Sequence, residues 1–429
     1  MKPKRLKQKH TKRNIIIGIT TITVLTASII TLTKASFRTT ESIPLVNGTI
    51  NYDLADNNLV GVYINSDSGY TKSDTIPESG YVLNEEESYC TVNGERDDNI
   101  SLSYDVATKS LSVTPMTTQG TKCYLYFDEQ LCTGEACNTI LANKTLATRT
   151  DFSTTLTTDT TGTIYYADTS KGRTYYFAGN PTDNWVRWAG FYWRIIRINE
   201  DGTIRMIYQG TSANTTGSNT QTQTSAFNSS YNNNMYVGYM YQSSQPHGLT
   251  SSSTIKGELD EWYQNNLARY ADDLDGNAGF CGDRTPYSGT GTGTSATIYG
   301  AYNRLYTNKA PTFECASDSD LYTTSGSEDG NGALTYPIGL ITADEVAYAG
   351  GVYGTTNESY YLWTDSYYWT MSPNRFRSGY ASVFNVWSNG TLDYNRVTNA
   401  SGVRPVVNLK ADTQFSSGNG TSETPFVVS

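Results

Sequence analysis

The chain has 429 residues with 31 basic against 41 acidic side chains, a formal net charge of −10. Seven of the basic residues, Lys2, Lys4, Arg5, Lys7, Lys9, Lys12 and Arg13, fall in the first thirteen positions, so the rest carries 24 against 41, a net of −17. No stripe of Lys and Arg remains to neutralise phosphates, which excludes a nucleic-acid partner. Of two histidines, His10 lies in the basic head, so histidine chemistry beyond it would rest on His247.

Residues 1–13 read as a cytoplasmic head, because positive flanks stay on the inner side of a membrane. Asn14 to Thr33 follow as twenty uncharged residues. As a helix they would span roughly 30 Å, the hydrocarbon thickness of a bilayer. The run reads as an uncleaved signal anchor, which makes this a single-pass cell-surface protein with an extracellular C-terminus. Thr33-Lys34-Ala35 also offers the small residues a signal peptidase reads, and cleavage near Ala35 would make the chain secreted.

Lys34 to Ala55 form a polar stalk. Residues 56–128 then show short alternating apolar runs punctuated by Gly, Asn, Asp and Pro, such as Val60-Gly-Val62-Tyr-Ile64 and Cys123-Tyr-Leu-Tyr-Phe127. That pattern predicts a small antiparallel β-sandwich acting as a spacer. Six cysteines, an even number beyond the membrane segment, predict disulfides, and their spacing groups them as Cys90 with Cys123, Cys132 with Cys137, and Cys281 with Cys315. Residues 129–163, with the Cys132–Cys137 loop, a short helical stretch and a Thr-rich tract, read as a linker.

Residues 164–429 form a large aromatic region. Phe191-Tyr-Trp-Arg-Ile-Ile-Arg-Ile198, the turn Asn199-Glu-Asp-Gly202 and Thr203-Ile-Arg-Met-Ile-Tyr208 predict a β-hairpin. Ile255, Leu259, Trp262, Tyr263 and Leu267 recur at three and four residue spacings, so an amphipathic helix is expected from Thr254 to Tyr270. Thr342-Ala-Asp-Glu345 has capping-box spacing and Gly350-Gly351 supplies a left-handed stop, which brackets a second short helix. Strand-like runs follow at Tyr367-Tyr-Trp-Thr-Met371, Ala381-Ser-Val-Phe-Asn-Val-Trp387 and Val403-Arg-Pro-Val-Val-Asn-Leu409. Strands and helices mix without βαβ alternation, which predicts an α+β domain.

These motifs, together with Tyr236-Val-Gly-Tyr-Met240, Phe280-Cys-Gly-Asp-Arg284, Pro337-Ile-Gly-Leu-Ile-Thr342, Tyr368-Trp-Thr-Met-Ser-Pro373 and Gly402-Val-Arg-Pro-Val-Val-Asn-Leu409, resemble the formylglycine-generating-enzyme-like branch of the C-type lectin fold found in Firmicute surface proteins. The resemblance implies a C-type-lectin-like ligand-binding domain. It extends to targets of diversity-generating retroelements, in which a reverse transcriptase mutates adenines in codons of ligand-facing positions. Asn374 to Asn399 is then the segment that corresponds to the variable one, and either a diversified or an invariant receptor would fit. The sulfatase-activating oxidases of this fold use a cysteine pair near the domain's end, and no cysteine follows Cys315 here.

The residues themselves also point to a binding surface. Asn374 to Asn399 interleave aromatic residues with Ser, Asn, Asp and Arg, a paratope-like mixture of rigid contact area and adaptable hydrogen bonding. The contact residues expected are Asn374, Phe376, Arg377, Ser378, Tyr380, Ser382, Asn385, Trp387, Asn389, Asp393, Tyr394, Asn395 and Arg396, with Val383, Phe384 and Val386 as core. The ligand is an extracellular protein or glycan. Trp369, Arg404 and Pro405 read as structural, and a buried Arg404 would need a carboxylate partner. No cofactor is expected. Asp273, Asp275 and Asn277 offer a half-complete calcium loop, for which a solvated turn is the plainer reading. With no GxSxG or HExxH, and with Cys315 available to occupy Cys281, enzyme readings have no anchor. A divergent extracellular enzyme and a structural envelope protein stand as the alternatives.

Overall fold

The computed structural model describes residues 43–44, 59–65, 69–77, 81–105, 110–114, 121–129, 132, 134–142, 144–326 and 330–429. The basic head, the expected anchor and most of the stalk lie outside the described residues. Among those described, no helix is long and apolar enough to cross a membrane. The chain is mixed α+β and rich in sheet, and it divides after Leu131 into two compact units.

The first unit contains two sheets. A six-stranded sheet runs in the order Thr71–Ser73, Leu59–Ile64, Thr121–Glu129, Tyr89–Val92, Glu95–Arg96, and Tyr81–Leu83 also pairs with Thr121–Glu129. A three-stranded sheet joins Ser101–Asp105 and Ser110–Thr114 to Ile43–Pro44. Alternate residues from both, including Val62, Leu102, Leu111, Leu125 and Phe127, share one buried core. The spacer was expected to be wholly antiparallel, but Leu59–Ile64 runs parallel to Thr121–Glu129. The long stretch between these two strands permits a crossover, which a tight turn would not. Ile43–Pro44 likewise places a strand inside the expected stalk. Cys90 and Cys123 face each other in register and are bonded.

The second unit begins at Cys132 and takes in most of the expected linker. Cys132 bonds Cys137 within the start of the helix Glu135–Leu141, and Thr145–Ala147 pairs in parallel with Thr163–Thr169 at the edge of a nine-stranded sheet. Arg149 ties this segment down by donating to the carbonyls of Ala347 and Tyr348 at 2.9 and 3.1 Å. At the sheet's centre, Phe191–Ile198 and Ile204–Gly210 form the expected hairpin, with Gly202 at φ 84° closing the turn. The amphipathic helix is Thr254–Asn266, capped by the Ser253 hydroxyl, and it buries Ile255, Leu259 and Tyr263. It stops short of the expected Tyr270 because the chain tightens into a 3-10 turn over Ala268–Asp273, where Tyr270 leaves helical geometry.

The second helix, Ala343–Ala349, has the full capping box of Thr342 and Glu345 and the left-handed stop at Gly350, φ 119°. Glu345 does more than cap. One of its oxygens accepts from the Thr342 N–H at 2.9 Å, and its carboxylate also meets Arg197 Nε at 3.2 Å and the guanidinium of Arg205. All three side chains are buried. The helix start is also held to Tyr368–Arg377, the central strand of the other large sheet, by Ala343 N donating to Ser372 Oγ at 2.9 Å.

Burial alone would raise the Glu345 carboxyl, but Arg205, Arg197 and the Thr342 N–H together hold it below the ordinary range. Its stabilisation is therefore complete above the unfolded-state value and is lost as pH falls through the lower folded value. Glu345→Gln leaves Arg205 uncompensated and Arg197 with only Glu200, at 3.4 Å, and should cost about 3–5 kcal/mol. All seven tryptophans lie in this unit, so urea denaturation followed by tryptophan fluorescence reports on it alone. The variant's midpoint should fall well below wild type at pH 7, and the gap should narrow below about pH 4.

Candidate ligand-binding face

Tyr368–Arg377, Tyr380–Val386 and Leu392–Arg396 form a three-stranded meander within the seven-stranded sheet. Ser378 and Gly379 both take positive φ, 54° and 80°, the two-residue hairpin geometry that matches strand twist. At the far end Gly390, φ 75°, closes a turn in which its N–H donates to Trp387 O at 2.8 Å.

Register then decides what shares a surface. Ser382 opposes Arg375 on one neighbour and Arg396 on the other, and Arg377 opposes Tyr380. Arg396 lies 3.8 Å above the Tyr380 ring, and Tyr231 stacks on the same ring at 5.1 Å. The Ala381 N–H donates to Tyr231 O at 2.8 Å, so the loop that carries Tyr231 is pinned to the strand. Arg375 sits 4.0 Å over Tyr394 and 6.0 Å from Tyr302. Tyr302 contacts Tyr306 at 5.0 Å and Tyr353 at 5.8 Å. Asp393 is half-buried beside them, and burial raises its carboxyl against a hydrogen bond from Tyr353.

The thirteen expected contact residues do not form one patch. Asn374, Phe376, Ser382 and Asn385 are buried and cannot touch a ligand. Both strands that carry them are interior: Tyr368–Arg377, with Asn374 and Phe376, has Tyr380–Val386 on one edge and Thr297–Tyr299 and Ala400–Val403 on the other, and Tyr380–Val386, with Ser382 and Asn385, lies between Tyr368–Arg377 and Leu392–Arg396. Asn385 serves the sheet instead, donating to Tyr368 O at 2.9 Å and Ser401 Oγ at 3.1 Å. Trp387 and Asn389 are half-buried at the opposite end of the hairpin, near Tyr367 and Thr356. Arg377, Ser378, Tyr380, Asp393, Tyr394, Asn395 and Arg396 keep at least part of their surface in solvent. Val383, Phe384 and Val386 are buried as expected. Arg375, Tyr231, Tyr302, Tyr306 and Tyr353 complete the face and were missed. Four of these come from distant segments, Tyr302 and Tyr306 from the helical turns Gly300–Tyr302 and Asn303–Asn308, with no local signal in the sequence.

The structural trio is buried around a crossing between sheets. Trp369 donates from Nε1 to Ser225 O at 2.9 Å. Arg404 has no carboxylate, contrary to expectation; it donates to Tyr208 O, Leu362 O and, at 2.6 Å, Gln209 Oε1, and lies 4.8 Å over the Tyr368 ring. Pro405 O accepts from Tyr208 N at 2.9 Å.

A separate cavity of about 380 Å³ opens beside the Cys281–Cys315 disulfide. Its three arginines are already matched: Arg197 by Glu345 and Glu200, Arg205 by Glu345, and Arg304 by Asp344 at 3.0 Å and Asp283 at 2.8 Å. Cys281 is bonded and offers no free thiol for a dyad with His247; His247 Nδ1 instead meets Asp320 at 2.8 Å, whose other oxygen holds Arg284 at 2.6 Å. The candidate calcium ligands diverge. Asp273 accepts from Trp188 Nε1, Asp275 from the N–H groups of Asn277 and Ala278, and Asn277 from Ser325 Oγ.

No family model, curated protein or solved structure matches this chain.

The division between buried and exposed positions is testable by stability alone. Asn385→Ala strands a backbone carbonyl in the sheet and should cost about 1–3 kcal/mol. Arg377→Ala should stay within about 0.5 kcal/mol of wild type. Urea midpoints from tryptophan fluorescence separate the two.

Proposed function

We propose that this chain is a cell-surface ligand-binding protein, a receptor or adhesin, whose contact surface is the outward face of the Tyr368–Arg377, Tyr380–Val386 and Leu392–Arg396 meander. The reading places that face on a C-type-lectin-like domain of the formylglycine-generating-enzyme-like kind, displayed above an N-terminal anchor and a small β spacer. Three disulfides support an oxidising compartment.

The observation that carries the reading is the pair of arginine–tyrosine stacks, Arg396 on Tyr380 and Arg375 on Tyr394, on rigid paired strands. Tyrosine and arginine supply most binding energy in protein recognition, and strands hold them more firmly than loops. The face is read as invariant rather than diversified. Many residues of the segment, among them Asn374, Phe376, Ser378, Tyr380, Ser382, Asn385, Asp393, Tyr394 and Asn395, can be reached from an AAY codon by adenine changes, and Asn374, Phe376, Ser382 and Asn385 are buried, so random substitution there would damage the sheet before it altered contact.

The test is binding of the full chain in detergent to an array of extracellular proteins and polysaccharides. At least one should be retained, and Tyr380→Ala with Tyr394→Ala should weaken it at least tenfold, about 1.4 kcal/mol, with an unchanged melting temperature. Retention that survives both substitutions would move the site elsewhere on the molecule.

A further inference from the structure

What sets this face apart is that three arginines without an ion pair gather on one meander. Elsewhere Arg96 and Arg173 each find a carboxylate nearby, Asp98 at 2.7 Å and Asp168 at 2.9 Å, Arg205, Arg284 and Arg304 are ion-paired, and Arg149, Arg194 and Arg404 donate to neutral oxygens; Arg187 and Arg269 rest on Tyr192 and Tyr270, both outside this meander. Among the described residues Arg375, Arg377 and Arg396 form no ion pair, and their guanidiniums make no hydrogen bond; Arg375 and Arg396 rest on tyrosine rings instead. In a chain of net charge −10, three unpaired guanidiniums beside one half-buried carboxylate, Asp393, make a local positive surface. A guanidinium stacked flat keeps its five N–H donors in the plane, directed sideways, where a carboxylate can take two at once. Arg375 and Arg396 both oppose Ser382 from neighbouring strands, so they stand roughly 10 Å apart and ask for more than one anionic group.

The same stacks decide between classes of anion. A sugar ring binds by laying itself against an open aromatic face. Here the Tyr380 ring is covered by Arg396 and by Tyr231, and Tyr394 is covered by Arg375. The more exposed rings of Tyr231 and Tyr306 lie to the sides, and on the two central rings what remains outward is edges, hydroxyls and guanidinium edges. These suit carboxylates and backbone carbonyls of a polypeptide, in the manner of a tyrosine-rich paratope with arginine anchors.

Resting on the reading of this face as the ligand site, we infer that its partner is an acidic protein, docked by clustered Asp or Glu carboxylates on Arg375, Arg377 and Arg396. Long-range attraction to such a partner would raise the encounter rate and weaken with salt.

The experiment measures binding of the full chain in detergent to poly-L-glutamate, hyaluronate and neutral dextran. Poly-L-glutamate should bind most tightly, and its affinity should fall at least about tenfold between roughly 0.05 and 0.5 M salt. Arg375→Gln with Arg396→Gln should cost at least about tenfold with an unchanged melt, while Arg187→Gln, an exposed cation on the other sheet, should have no effect. Tighter binding of hyaluronate, equal binding of dextran, or no binding of poly-L-glutamate would overturn the acidic-protein assignment. If an arrayed ligand is lost with Tyr380→Ala and Tyr394→Ala but is indifferent to the arginine variants, the face survives and only the acidic class fails. A ligand indifferent to both sets of variants removes the face itself.

Discussion

The second unit depends on one carboxylate held between two guanidiniums. Glu345 caps its own helix, neutralises Arg197 and Arg205 from the two strands of the Phe191–Ile198 and Ile204–Gly210 hairpin, and is excluded from water. Three charges in a dry site tolerate no loose geometry, because any one of them left unpaired costs several kcal/mol. The capped helix start then reaches the second sheet through Ala343 N to Ser372 Oγ, and Ile341 O accepts from Met371 N at 2.8 Å. Ser372 is on the same strand as Arg375. The strand that presents the contact face is thus indexed to the ion triad that organises the other sheet.

Arg404 and Pro405 perform the related task at the chain's other crossing. Ala400–Val403 belongs to the seven-stranded sheet and Val406–Leu409 to the nine-stranded one, so the polypeptide changes sheets between them. Proline has no N–H to leave unsatisfied at the step. The guanidinium of Arg404 fills the crossing by donating to carbonyl and amide oxygens, a neutral set. Desolvation lowers its pKa, and the Tyr368 and Tyr360 rings beside it partly offset that cost. A carboxylate was expected from the charge alone. Five N–H donors can instead be satisfied by dipoles when backbone oxygens converge.

Local signals were legible in the sequence and non-local ones were not. The Asn199 to Gly202 turn, the Thr342 to Glu345 cap, the Gly350 stop and the Cys132–Cys137 pairing each depend on residues a short reach apart, and each appears as read, as do the two longer cysteine pairings that the spacing grouped. Asn374 and Asn385 were misplaced because their burial depends on distant partners: Thr297–Tyr299 pairs with the strand of Asn374, and Asn385 donates to Ser401 on Ala400–Val403. The stretch taken as a linker fails for the same reason: Thr145–Ala147 has no strand signature until Thr163–Thr169 lies beside it. Half of the contact face was therefore visible in one segment, while Tyr231, Tyr302, Tyr306 and Tyr353 arrive through tertiary packing.

Arginine is used in two opposite ways in this unit, and the contrast separates scaffold from surface. In the cavity by the Cys281–Cys315 disulfide, Arg197, Arg205 and Arg304 are consumed by Glu345, Asp344 and Asp283, as burial requires. A ligand that bonded any of these three arginines would have to displace an internal partner. On the meander, water rather than a carboxylate solvates Arg377 and Arg396, so a guanidinium can stand unpaired at little cost. Its donors are then available to an incoming anion without breaking anything internal. The cavity is the more enclosed feature, but the exposed face is the one whose chemistry is unspent, which is why the proposed recognition lies on the sheet surface rather than in the concavity.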